Sequence, residues 1–95
     1  MIKITQIHIL EKYHLHIVFD DGVEKIIDFT PFLGEGALTK PLSDPHFFQQ
    51  VKIYDNGRGI YWPNGYDVCP DNLRYHINSV ETHVANLLQQ SFQTA

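Results

Sequence analysis

Three groups of residues in this chain have the types and spacing to do chemistry. They are the histidines His8, His14 and His16 with Asp28, the thiol of Cys69 beside Pro70, and the run Tyr61-Trp62-Pro63-Asn64-Gly65-Tyr66-Asp67. Imidazole nitrogens and carboxylate oxygens are the donors that zinc and similar divalent ions take. A thiol becomes a nucleophile when a base or a helix N-terminus holds it as thiolate. An aromatic side chain with a few polar groups at a sharp turn is how small pockets and partner contacts are built. Each group also has a plainer reading. Histidines on an outward sheet face are ordinarily solvated, and a lone Cys is ordinarily a small buried hydrophobe. Trp62 can be a core anchor, with Asn64-Gly65 making the turn and Asp71 capping a helix.

Strand register decides whether these side chains meet. Tyr13, Leu15, Ile17 and Phe19 alternate with His14, His16 and Val18, the period of a half-buried strand. A two-residue loop at Asp21-Gly22 would set Phe19 opposite Glu24 and mix core with solvent faces. A three-residue loop with Gly22 at positive φ instead pairs Phe19 with Val23, Leu15 with Ile27 and Tyr13 with Phe29. Only Lys25, opposite Ile17, is then misplaced, and its stem can cross apolar surface with the amine in water. On the other side, a loop at Leu10-Glu11-Lys12 matches Ile9 with Tyr13 and Ile7 with Leu15. His8, His14 and Asp28 then form one row across three strands, able to supply three metal ligands. Ile2 and Ile4 are out of phase with Ile7 and Ile9, which predicts a bulge near Thr5-Gln6 or burial of both faces.

Beyond Phe29 the breakers Thr30-Pro31, Gly34, Gly36 and Pro41 predict an irregular connection. Ser43-Asp44-Pro45 starts a short helix to Gln50 that sends Phe47 and Phe48 into the core. Val51 and Ile53 lead a fourth strand, Asn56-Gly57 turns, and Gly59 to Trp62 return as a fifth. Pro63-Asn64-Gly65 reverses the chain into a short edge strand at Tyr66-Asp67-Val68, and Pro70-Asp71-Asn72 opens a second helix through Leu73 and Ile77. Ser79 to Phe92 reads as a final helix with Val80, Val84, Leu87, Leu88 and Phe92 on one stripe. The expected fold is α+β: a twisted antiparallel sheet of about five strands with two or three short helices in a two-layer single domain. Residues 1–79 form its core, and 80–95 an amphipathic helix that packs on that core or on a second subunit.

Composition narrows the class. The chain has 95 residues, 43% of them apolar, enough for one hydrophobic core. Its net charge of −4 and seven scattered basic residues give no phosphate-binding footprint, so no direct nucleic-acid contact is expected. Cys69 is the only cysteine, which rules out an internal disulfide and fits a reducing compartment. No leader precedes the first strand and no apolar run approaches the ~20 residues of a bilayer span. A soluble cytoplasmic protein with no membrane contact is the expectation.

Taken in order, Phe19-Asp20-Asp21-Gly22, Leu42-Ser43-Asp44 followed by Phe47, and Trp62-Pro63-Asn64-Gly65 through Leu73 resemble the domain of unknown function 2442 family of small bacterial proteins. The resemblance covers roughly Tyr13 to Ile77, and its most specific part is Trp62-Pro63-Asn64-Gly65-Tyr66-Asp67 followed by Pro70-Asp71-Asn72-Leu73. It implies a compact α+β domain on an antiparallel sheet and supplies no catalytic residues or cofactor. Some members carry a helix-turn-helix unit after this domain, for which this chain has too few residues left. Many are encoded beside another short protein, as toxin–antitoxin pairs are. The expected function is therefore non-enzymatic: a protein-interaction or regulatory module that binds a partner encoded by a neighbouring gene through Tyr61, Trp62, Asn64 and Asp67. A homodimer through the C-terminal helix is a further expectation, and a small-ligand or metal-binding domain is the alternative.

Overall fold

The alternation from Leu15 to Phe19 buries what it predicts. In the structure, a computed structural model that describes residues 1–80, Leu15 and Ile17 are wholly buried and Phe19 nearly so, while His14, His16 and Val18 lie toward the opposite face. They form β2 (His14–Phe19), flanked by β1 (Ile4–Ile9) and β3 (Glu24–Asp28) in an antiparallel sheet of order β1-β2-β3. The β2–β3 loop holds three residues. Gly22 at φ +88° donates to the Phe19 carbonyl at 3.0 Å, and Phe19 donates to Val23 at 2.9 Å. Leu15 pairs with Ile27 and Ile17 with Lys25, the register that keeps both apolar faces on one side. The phase change in β1 is a bulge, at which the register shifts between Ile4 and Gln6.

The expectation of one sheet of about five strands is corrected. β4 (Lys52–Ile53), β5 (Ile60–Tyr61) and β6 (Asp67–Val68) form a second three-stranded antiparallel sheet, of order β4-β5-β6. Its strands are two residues long, cut short by the turns at Gly57 and Gly65, both at positive φ. Between the sheets, the amide of Ile4 donates to the carbonyl of Gly57 at 2.8 Å, just where β1 is bulged and the ladder cannot continue.

The helices are also smaller than expected. α1 spans Pro45–Phe48, with Pro45 at its first position and the Asp44 carboxylate accepting from the His46 amide. The segment after Pro70 is a single π turn, Asn72–His76, closed by Ile77 donating to Asn72. Lys25 ends it. Its ammonium donates to the carbonyls of Leu73 at 2.7 Å, Arg74 at 3.2 Å and Ile77, so the amine caps a turn instead of standing in water. The predicted helix start at Ser79 is not helical. Ser79 and Val80 run beside β3, with Val80 donating to the Ile26 carbonyl at 2.7 Å and the Ser79 hydroxyl within 3.2 Å of the Ile26 amide. The rest of that predicted helix, and with it the question of core cover or dimer contact, lies outside the described residues.

One core joins the two sheets. Trp62, at the end of β5, is wholly buried and meets Phe29 from the end of β3 and Phe48 from α1, with ring centroids 5.9 and 5.7 Å apart. Its indole Nε1 donates to the Phe48 carbonyl at 2.9 Å. Aromatic pairs at such distances contribute about 0.5–1.5 kcal/mol each beyond their area burial. With the indole bonded, no buried side-chain nitrogen or oxygen among the described residues lacks a partner.

Candidate functional site

The turn Pro63-Asn64-Gly65 repeats the logic of the first sheet. Trp62 accepts from the Gly65 amide at 3.0 Å and donates to the Tyr66 carbonyl at 2.9 Å, so Tyr61 and Asp67 lie side by side across β5 and β6. Lys52 pairs with Tyr61 from the other side, which puts Lys52, Tyr61 and Asp67 in one row on the outward face. Opposite Ile53 and Val68, Ile60 turns inward and is wholly buried. The exposed ring of Tyr54 stacks on Tyr61 at 4.5 Å with 20° between planes, and its hydroxyl donates to Asp67 Oδ2 at 2.7 Å. That hydrogen bond holds the Tyr54 phenol above its ordinary value, helped by partial burial and by the charges of Asp67 and Tyr61.

The four residues singled out in the sequence therefore divide. Trp62 is wholly buried, so it is scaffold and not an exposed platform, and the aromatic surface belongs to Tyr61. Asn64 is spent on the turn: its amide donates to the Leu38 carbonyl at 3.0 Å and its oxygen accepts from the Tyr66 amide at 3.2 Å. Tyr61 and Asp67 stand together on the surface, and Tyr54 joins them. Sequence reasoning passed over Tyr54, although a signal was there. The Asn56-Gly57 hairpin sets Tyr54 and Gly59 opposite each other, and a glycine leaves room for a neighbouring ring.

Behind Asp67 opens a cleft of about 480 Å³. Phe29, Phe32 and Tyr66 give it aromatic walls, Val68 and Ile77 aliphatic ones, and Asp67, Cys69 and Asn72 its polar groups. Burial, and then the charge of Asp67, push the Tyr66 phenol up, so it stays neutral at physiological pH. Cys69 is exposed within this lining, not the buried hydrophobe of the plainer reading. These walls come from segments far apart in the chain, and no local motif announces them.

The histidine row is corrected. β1 pairs with β2 two residues out of the expected register: Ile9 faces Leu15 and His8 faces His16, so His8, His14 and Asp28 are not aligned. The cause is Tyr13, which leaves the strand at φ +64° beside Lys12 at +57°. Its ring packs on Phe48 at 5.3 Å and its hydroxyl donates to the Ser43 carbonyl. Such backbone angles are costly for non-glycine residues and persist only where surrounding contacts demand them. His8 stacks on His16 at 5.3 Å, and His16 Nε2 lies 2.8 Å from Glu24 Oε1. His14 keeps its predicted neighbour Asp28 at 3.9 Å, but its Nδ1 donates to the Glu11 and Lys12 carbonyls. Among the described residues no three His, Cys, Asp or Glu side chains converge as metal ligands.

Antiparallel strands with short helices are the α+β domain that the sequence resemblance implied, and the chain matches the family described as Protein of unknown function (DUF2442) over residues 4–79. The chain belongs to that family. The matched DUF2442 region takes in both sheets, α1 and the π turn, so the Tyr61 surface and the cleft are both built within it. No curated protein and no solved structure matches the chain. No helix among the described residues is long and apolar enough to cross a membrane.

Proposed function

We propose that this protein is a non-enzymatic interaction module, the antitoxin-like or regulatory member of a two-gene pair, acting in the cytoplasm on a protein encoded beside its own gene. The observation that carries this reading is the outward face of β4–β6, where the stacked Tyr54 and Tyr61 are tied to Asp67 over a locked Trp62. Tyrosine is favoured at protein interfaces because it offers a large, rigid amphipathic surface at low entropic cost. Holding the rings by stacking and by the Asp67 hydrogen bond reduces that cost further, since less freedom is lost on binding. The remaining polar groups of the corner support the same reading, because Trp62 Nε1 and Asn64 are committed to holding the fold.

Co-expression with the neighbouring gene product and gel filtration tests the proposal. The pair is expected to co-elute at micromolar concentration. Tyr61→Ala is expected to weaken the complex about tenfold or more, the effect of removing an interface aromatic, with the circular dichroism spectrum unchanged. Separate elution of the two wild-type proteins at that concentration would remove the basis for this function. A homodimer through residues 80–95 remains part of the proposal, and light scattering on the isolated protein reads it directly.

A further inference from the structure

The geometry points to a second binding site, which shares Asp67 with the Tyr61 surface: the cleft between Phe32, Tyr66, Val68 and Ile77 takes a small organic ammonium ion, its apolar body between these side chains and its charge on Asp67. Four observations converge on that ligand class. The cleft encloses about 480 Å³, within the range of sites that hold small organic molecules. Its aromatic and aliphatic walls, Phe29, Phe32, Tyr66, Val68 and Ile77, suit the apolar body of an organic ligand. Among the described residues Asp67 is its one charged lining group and no Lys, Arg or His lines it, so none of them offers an anion a partner there. Phe32 and Tyr66 bring aromatic rings to the lining, and ammonium ions are attracted to such rings.

Asp67 is suited to this role. Its Oδ2 accepts from Tyr54, which fixes the carboxylate, and no ammonium or guanidinium among the described residues forms an ion pair with it. Tyr66 is itself fixed, with its ring against Trp62 at 5.6 Å and its amide on Asn64. The Cys69 thiol does no chemistry in this proposal. It is an exposed reporter in the lining, and a bound molecule would shield it.

The test uses the full chain and three probes of one shape and different charge: 2-phenylethylamine, 2-phenylethanol and 3-phenylpropionate. The reaction of Cys69 with a coloured disulfide reagent is followed as each probe is added, together with the methyl resonances of Val68 and Ile77. The amine is expected to slow the thiol reaction saturably, to shift those methyls, and to bind about tenfold more tightly than the alcohol, as one added charge contact does. The carboxylate is expected to bind least. Asp67→Asn, which keeps an acceptor for Tyr54, should abolish the preference for amine over alcohol while leaving the melting temperature in place. Equal binding of the three probes, or an amine preference that survives Asp67→Asn, overturns the assignment. A thiol already unreactive in the free protein and indifferent to the amine overturns it as well, since the cleft would then be filled by the chain itself or a second copy.

Discussion

Asp28 and Asp21 are the carboxyls whose values the fold holds down. Burial pushes the Asp28 carboxyl up, but the Thr30 hydroxyl and amide and the nearby His14 pull it further the other way, so it sits below its ordinary 3.8. Asp21 is lowered chiefly by the Val23 amide, against a smaller upward push from burial, with the Arg74 guanidinium at 3.0 Å adding to the fall. A carboxylate whose value is depressed on folding binds fewer protons in the native state than in the unfolded one. Its contribution is therefore complete above 3.8 and lost as pH falls through the lower folded value. The urea midpoint is expected to hold steady down to about pH 5 and to drop between about pH 4 and pH 2. Asp28→Asn and Asp21→Asn should each flatten part of that drop. A pH profile identical to wild type in the double variant would mean that other carboxylates control it. Lys25 works in the opposite sense. Burial first, and then Arg74, lower its amine, and the three carbonyls it caps stand in for the hydration its charge loses.

At the scale of elements, the short second sheet depends on glycines that serve different ends. Gly59 has φ +144°, and a Cβ there would lie 2.8 Å from the Val68 carbonyl oxygen and 3.3 Å from the Tyr54 ring. β5 and β6 can pair, and Tyr54 can lie over their edge, because that atom is missing. Gly22 has φ +88° with nothing within 4 Å of a built Cβ, so its demand is conformational alone. Gly22→Ala is expected to cost about 1–2 kcal/mol, the penalty of a left-handed alanine. Gly59→Ala adds a backbone clash and is expected to cost about 2–4 kcal/mol. It should also increase the thiol reactivity of Cys69, which follows β6. Urea unfolding of the two variants reads the difference, and equal losses would show that the Val68 contact gives way without cost.

At the scale of the whole molecule, two small sheets share one core. Neither three-stranded unit covers its own apolar face, and Phe29, Phe48 and Trp62 interlock them. Strands of two residues have little stability apart from such packing. The protein is therefore expected to unfold in one step. Fluorescence of Trp62, the only tryptophan, and far-ultraviolet circular dichroism should give coincident urea transitions. A fluorescence transition that precedes the other would mean that the second sheet detaches as a separate unit.

What the sequence by itself determined is what local stereochemistry dictates. The β2–β3 register, the positive φ of Gly22 in its three-residue turn, the Asp44-capped start of α1 and the family all follow from residue types at short spacing, where alternation and turn geometry leave one solution. Tertiary structure alone decided the rest. Tyr13 left β2 for Phe48 and Ser43, which moved the β1–β2 register by two residues and dissolved the histidine row. Lys25 found carbonyls from a turn some fifty residues away. The cleft gathers Phe32, Tyr66 and Ile77 from separate segments, and the sheet divided because a bulge in β1 stopped the ladder. In each case a contact distant along the chain outweighed a local preference worth about 1 kcal/mol, and no local pattern encodes a contact of that kind.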